Sequence, residues 1–525
     1  MEPLAIVFAL LLAATVLAGI ARRIEIPEPI VLVVGGLALG LVPGLPHQFS
    51  QIGLAPELVF LLFLPPILFA SAFFTSIRDF KANLRPILLL SVGLVVFTMV
   101  VVAVTVQSLL PSVGWPIAFA LGAIVAPPDA VAASAVFQRL GVPRRLVTIL
   151  EGESLVNDAT ALVALRAALA VAGGLSFSAL DVSIDFLRVA VGGVLFGLVA
   201  GWIAWRIIAR IDDTILVIVL TLLIPAGIYA PAEQILHVSG VLAVVTAGLI
   251  AGRGAAHALT SAQRILGEAA WRTVLFVING AVFVLIGLQL PLVLRDLSSA
   301  YGRPQLVALA VIVSAVTIIG RVVWVFPATY LPRFLSAKVR ARDPYPKAAS
   351  VAVVSWAGMR GVVSLAAALS LPADLPGRSI IVFLTFSVIL STLVLQGVSL
   401  PWIIRILGVR ADGETDAEER DARLLAAQAA VDEIVRLERK WPDHQPLIDQ
   451  LRSQYQHRVS HIEPDGEGPR DEAERELLEH RQIRHAVIEA ERNAVIGLRD
   501  AGRISDDVLR RVERDLDLEE LRLEA

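Results

Sequence analysis

The stretch "EGESLVNDATALVALR", Glu151 to Arg166, places two glutamates, an Asn-Asp pair and an arginine between the apolar flanks "RRLVTIL" and "AALAVAG". At 100° per residue, Glu151, Ser154 and Asp158 share one face of a helix, and Glu153 and Asn157 share another. One face suits a ligand and the other a partner helix. Carboxylates, a hydroxyl and carbonyl oxygens are what hard cations prefer, and no histidine or cysteine stands beside them. A carboxylate enclosed by hydrocarbon has to be neutralised, by a cation or by a proton. The two ions then compete for one group, and loading either excludes the other. Exchange follows if the ion-bearing part moves only when Asp158 is neutralised.

Other charges interrupt apolar runs at Asp129, Arg321 and Arg360. A group of this kind at mid-bilayer costs about 2.5–3.5 kcal/mol even on a lenient scale, so it faces protein or water and finds a partner. At a rise of roughly 1.5 Å per residue, Asp158 lies about 20 Å beyond Arg145, Arg360 as far beyond Lys347, and Asp129 as far beyond Pro116. All three approach the membrane centre. Arg166 and Arg321 read as snorkelling residues or as members of structural ion pairs. Glu151, only six positions after Arg145, reads as part of a cytoplasmic ion funnel.

Two of these charges sit at predicted backbone breaks. Pro127 and Pro128 precede Asp129 in "GAIVAPPDAVAASAV", and Gly358 and Gly361 bracket Arg360 in "SWAGMRGVVSLAAAL". Proline removes a helix donor, and irregular backbone at membrane depth survives only where it lines a cavity or is buried in protein.

The elements that must hold these groups are membrane helices. Of the 525 residues 56% are apolar and 18% charged, with a mean hydropathy of +0.74. Thirteen segments are long and apolar enough to span: 3–21, 29–45, 56–75, 85–110, 116–138, 145–173, 186–210, 213–230, 236–252, 270–294, 304–331, 347–371 and 377–407. Alternate loops are rich in Lys and Arg, from Arg22/Arg23 to the Arg333–Lys347 loop. The opposite loops hold only Arg295, Arg303 and Arg378, apart from Arg188 at a span edge. Basic loops stay cytoplasmic, which puts the N-terminus outside and the C-terminal tail inside. The broken segments are the fifth and twelfth, an odd offset that reverses orientation, as an inverted repeat requires. The N-terminal run lacks a basic stretch before it and reads as a first span rather than a cleaved signal.

"GESLVNDATALV" resembles the Asn-Asp signature of cation/proton antiporter family 1, the sodium/proton exchangers and their bacterial relatives. "FLPPILFASAFFT" (63–75), "APPDAVAASAVF" (126–137), "FVLIGLQL" (283–290), "WAGMRGVVSLAAALSLP" (356–372) and "LVLQGVSLPWIIRILG" (393–408) match in the same order, so the resemblance covers nearly all of residues 1–410. It implies an all-α polytopic fold of about thirteen transmembrane helices, an inverted-repeat core with two broken, crossed helices, and a homodimer in the cell membrane. It also implies alternating-access exchange of Na⁺, Li⁺ or K⁺ for H⁺, serving pH and sodium homeostasis, with no cofactor beyond the transported ions. Asp158 would be the cation- and proton-binding carboxylate, with Asp129, Ser154, Pro128 and Asn157 beside it. Asn157 would also help to hold the crossed helices, and Glu153 and Arg360 would form a buried ion pair. The Na⁺ ligands would be Asp158, Asp129 and Ser154. Asparagine rather than aspartate at 157 removes one titratable charge and favours one-for-one, electroneutral exchange.

From Arg410 the chain turns charged, with helical periodicity in "AEERDARLLAAQAAVDEIVRLERKW" and "SDDVLRRVERDLDLEELRL", Ser505 serving as an N-cap of the latter. A transmembrane antiporter domain over 1–410 and a helical cytoplasmic tail over 411–525 are expected. The net charge of −3 gives no reason to expect nucleic acid, and the absence of cysteine removes thiolate chemistry. A channel would need a continuous path. An intramembrane hydrolase would need a base near Ser154, and His47, His237 and His257 lie in loops or at span edges.

Overall fold

Apolar runs in a bilayer leave the backbone no hydrogen-bond partner but itself, which forces helix. The computed structural model describes residues 3–24, 26–42, 63–174, 179–297, 302–372, 375–410, 414–462, 470–501, 503 and 506–524, and holds helices and no strand among them. Every one of the thirteen apolar segments contains helix. Positions 43–45 and 56–62 of the second and third segments, His47, and the proposed cap Ser505 lie outside the described residues.

The chain divides into two compact units, Met1–Ala411 and Asp412–Ala525. The first unit runs α1 Pro3–Arg23, α2 Glu28–Gly40, α3 Leu64–Phe74, α4 Leu84–Leu109, α5 Trp115–Val125, α6 Ala130–Leu140, α7 Arg144–Ala172, α8 Ala179–Ile208, α9 Thr214–Gln234, α10 Gly240–Ala258, α11 Ser261–Leu297, α12 Arg303–Leu335, α13 Ala348–Trp356, α14 Val362–Leu369 and α15 Arg378–Ile406, with short helical turns between some of them. Eight helical stretches among the described residues are long and apolar enough to cross a membrane, and α2, α3 and α10 are shorter apolar helices. Large apolar side chains point outward along α8 (Leu187, Val191, Leu195, Trp202) and α12 (Val307, Val311, Ile319). Such a surface is stable against lipid tails and costly against water.

Inside, one apolar cluster draws on α4, α5, α6, α12 and α15, and a second on α3, α9 and α10. Helix α7 belongs to both: Ile149 and Leu165 pack into the first, Leu155 and Ala159 into the second. The helix with the Asn-Asp pair is therefore held from two sides. Among its described residues the second unit has four α-helices, Glu414–Lys440, Gln445–Ile462, Arg470–Asp500 and Asp506–Glu524, burying Ala427, Ile434, Ile448, Ile488, Leu509 and Leu516.

Candidate functional site

Two membrane-depth helices are interrupted, between Val125 and Ala130 and between Trp356 and Val362. The interruptions meet: the Asp129 amide donates to Met359 O at 2.7 Å. Four helix termini converge there, and each end leaves backbone groups without an intrahelical partner. Asp129 serves the two N-termini. Its Oδ1 accepts from Val131 N–H at 2.9 Å, and its Oδ2 from Val362 N–H at 3.4 Å. A Cβ on residue 361 would lie 1.8 Å from Asp129 Oδ2, so only glycine lets the carboxylate reach across. Arg360 serves the opposite ends. It donates through Nε to Val125 O, the last residue of α5, at 2.7 Å, and through Nη1 to Gly358 O. Its own amide donates to Thr392 Oγ1 at 3.0 Å. A negative charge at helix N-termini and a positive one at C-termini match the helix dipoles, an effect worth up to about 2 kcal/mol where partly buried.

The expected pair of Glu153 with Arg360 is corrected here. Glu153 is bound bidentately by Arg321 of α12, Nη1–Oε1 at 2.5 Å and Nη2–Oε2 at 2.8 Å, with both side chains at 1% exposure or less. Arg321 also donates to Val354 O in the last turn of α13, at 3.1 Å from Nη2. A Cβ on Gly358 would stand 2.3 Å from Arg321 Cδ, so the glycine beside Arg360 makes room for the other arginine. Arg166, the other arginine read as a snorkelling or pairing residue, is bound to Glu233 of α9.

The two faces of α7 separate as follows. Glu151, Ser154 and Asp158 line one cavity of about 270 Å³, together with Pro128 and Asp129 from the first break and residues 361–364 from the second. Asp158 is buried at 4% exposure. Ser154 Oγ accepts a long bond from Ala130 N–H at 3.4 Å, and Glu151 Oε1 one from Ser134 Oγ at 3.4 Å. Asn157 is not on the cavity wall. Its Nδ2 donates to Pro128 O at 2.9 Å, so it holds the break from behind, as expected of it, and its expected place beside Asp158 in cation and proton binding is corrected to that role alone. The carbonyl of Pro128 keeps a second lone pair. The cavity continues past Glu151 and Asn279, which line both spaces, into a vestibule of about 940 Å³ edged by Arg22, Arg139, Arg272 and Arg405.

Sequence reasoning missed three features. Ser364 and Asn279 line the cavity as neutral residues in apolar helices and carry no signal by type. Asp343, one acid in a basic loop, accepts from Arg85 at 2.7 Å, Arg145 at 2.6 Å and Arg333 at 2.6 Å. It ties the ends of α4, α7 and α12 together.

Crossed broken helices around a buried, oxygen-lined cavity define a secondary transporter for a small cation. The sequence model of the family described as "Sodium/hydrogen exchanger, transmembrane" matches residues 8–406, and the chain belongs to that family. Among relatives, the Na⁺/H⁺ exchanger YjcE of Escherichia coli is 33% identical over 96% of this chain and 95% of its own. A "sodium, potassium, lithium and rubidium/H⁺ antiporter" of Bacillus pumilus is 37% identical over 72% of this chain and 57% of its own. The fold is similar to that of the sodium proton antiporter MjNhaP1 of Methanocaldococcus jannaschii, with TM-score 0.63, 21% identity, and coverage of 77% of this chain and 98% of that one.

Proposed function

We propose that this exchanger moves one Na⁺, Li⁺ or K⁺ against one H⁺ per cycle by alternating access, as a transporter and not an enzyme. The observation that carries the reading is the cavity in which buried Asp158 stands with Asp129, Glu151, Ser154 and the two backbone breaks. Burial in low dielectric leaves the Asp158 carboxylate needing neutralisation, and a cation or a proton supplies it equally. In this reading Asp129, both of whose oxygens accept backbone amides from Val131 and Val362, keeps one charge state through the cycle and adds nothing to the count. Glu151, at the junction of cavity and vestibule, gathers cations on the way in without crossing the membrane with them. Alkali cations beyond Na⁺ fit the same oxygen set, and the name of the Bacillus pumilus relative includes potassium and lithium.

In the same reading the fold has thirteen spans, with a core built from two inverted three-helix repeats. The N-terminus lies outside, and residues 411–525 form a cytoplasmic tail. The protein works as a homodimer in the cell membrane, in pH and sodium homeostasis. The arginine-edged vestibule then opens to the cytoplasm, which makes the described conformation inward-facing.

One carboxylate alternating between one cation and one proton moves no net charge. Proteoliposomes carrying a Na⁺ gradient, with the potential clamped to zero by valinomycin and matched K⁺ in one set and imposed in another, test this once K⁺ has been checked as a substrate. Equal exchange rates are expected. A rate that rises with the imposed potential, or a reversal potential fitting two protons per cation, rejects the one-for-one scheme.

A further inference from the structure

Several oxygens already assigned to the cation are engaged in holding the break. Both oxygens of Asp129 accept amides, Pro128 O accepts Asn157, and Ser154 Oγ accepts Ala130 N–H. Two further cavity oxygens have no hydrogen-bond partner. Ser364 Oγ, on a residue only 1% exposed, and Asn279 Oδ1 both line the space that holds Asp158.

The state of Ser364 follows from where its helix begins. A serine or threonine hydroxyl in a helix ordinarily bonds the carbonyl three or four residues back. Ser370, Ser387, Thr392 and Ser399, in the same two spans, do so. Ser364 is the third residue of α14, so the carbonyls three and four back belong to Gly361 and Arg360 inside the break. The helix offers its hydroxyl nothing. Ser91, Thr98, Ser314 and Thr385 are also unpartnered, but none of them lines the cavity. Asn279 comes from α11 and is shared by cavity and vestibule. Leaving a buried oxygen unpaired is costly, and a hard cation is a partner that asks for oxygen alone.

We propose that Ser364 Oγ is a cation ligand contributed by the second broken helix, and that Asn279 Oδ1 passes the cation to it from the vestibule. The inference rests on the exchange reading above. It makes the site span both breaks, so the cation itself fastens α6, α7 and α14 into one unit while it is bound.

The test uses the full chain in proteoliposomes, with Na⁺, Li⁺ and K⁺ as the probes. Losing one ligand of a charged species is expected to raise the Na⁺ KM of Ser364→Ala roughly tenfold, with the limiting rate retained and the ranking of the three ions altered. Asn279→Ala should raise the KM in the same direction. A purely structural serine would move stability instead. Because Ser364 has no partner, Ser364→Ala should unfold at the wild-type temperature without alkali cation, and should lose most of the Na⁺-dependent rise in Tm that ligand linkage gives the wild type. An unchanged KM, ion ranking and Na⁺-dependent rise in Ser364→Ala would overturn the role of Ser364 and assign its hydroxyl to water. The same result in Asn279→Ala would remove Asn279 from the path. Wild-type vesicles without cation-driven proton flux would instead sink the exchange reading.

Discussion

Asp129 and Arg360 stand where four helix ends meet, and each carries the charge that the nearest ends require. Glu153 is then left to Arg321, not to Arg360. Removing one member of a buried pair strands a charge, at about 3–5 kcal/mol, while removing both strands none. Glu153→Gln and Arg321→Gln are therefore expected to destabilise strongly alone and by much less than their sum together. Thermal unfolding of the purified single and double variants measures the coupling. A larger coupling between Glu153 and Arg360 than between Glu153 and Arg321 would return the pair to its expected form. The sequence offered two arginines inside apolar runs, Arg321 and Arg360, and spacing does not say which side chain reaches the glutamate. The space left at Gly358 admits Arg321.

At the scale of helices, the three ends gathered on Asp343 make a clasp with a pH signature. Burial alone would raise the Asp343 carboxyl. Hydrogen bonds from Arg145 and Arg333 and their charges outweigh burial, and hold it below the ordinary carboxylate range. A group whose folded pKa is depressed gives stability that is fully present above its unfolded value, about 3.9, and lost as pH falls through the folded value. The stability difference between wild type and Asp343→Asn should thus be flat above about pH 5 and shrink below about pH 4. A difference that grows on acidification would contradict the clasp. Helices α7 and α9 are bridged at the opposite end by Arg166 and Glu233. If this bridge is a gate in the proposed alternating-access cycle, it breaks when the cavity opens to that side. The chain has no cysteine, so a single Leu162→Cys, one turn beyond Asp158 toward Arg166, is a clean probe. Glu233→Gln should speed its labelling by an impermeant maleimide applied from that side, and unchanged labelling would show that the pair is no gate. The helices themselves, both breaks and the two faces of α7 were legible, because hydropathy, Pro127-Pro128, the paired glycines and a 100° period are local signals. The Asp343 clasp and the unpaired Ser364 and Asn279 were not, since each depends on what distant segments bring alongside.

Across the whole molecule, the crossing at Asp129 and Arg360 gives α6, α7 and α14 one shared wall, and the cavity on that wall continues into the vestibule at the end edged by Arg22, Arg139, Arg272 and Arg405. The second unit holds its own ion pairs, such as Arg492 with Asp517 at 2.6 Å and Glu520 at 2.7 Å. In the proposed cycle one carboxylate, Asp158, carries either ion. This is tested most directly by Na⁺-driven proton flux in proteoliposomes of wild type and Asp158→Asn, reconstituted at equal amounts of inserted protein. The asparagine keeps the shape of the side chain and cannot exchange a proton for a cation, so flux in the variant should fall to that of empty vesicles. Substantial Na⁺-dependent proton flux in Asp158→Asn would contradict the account.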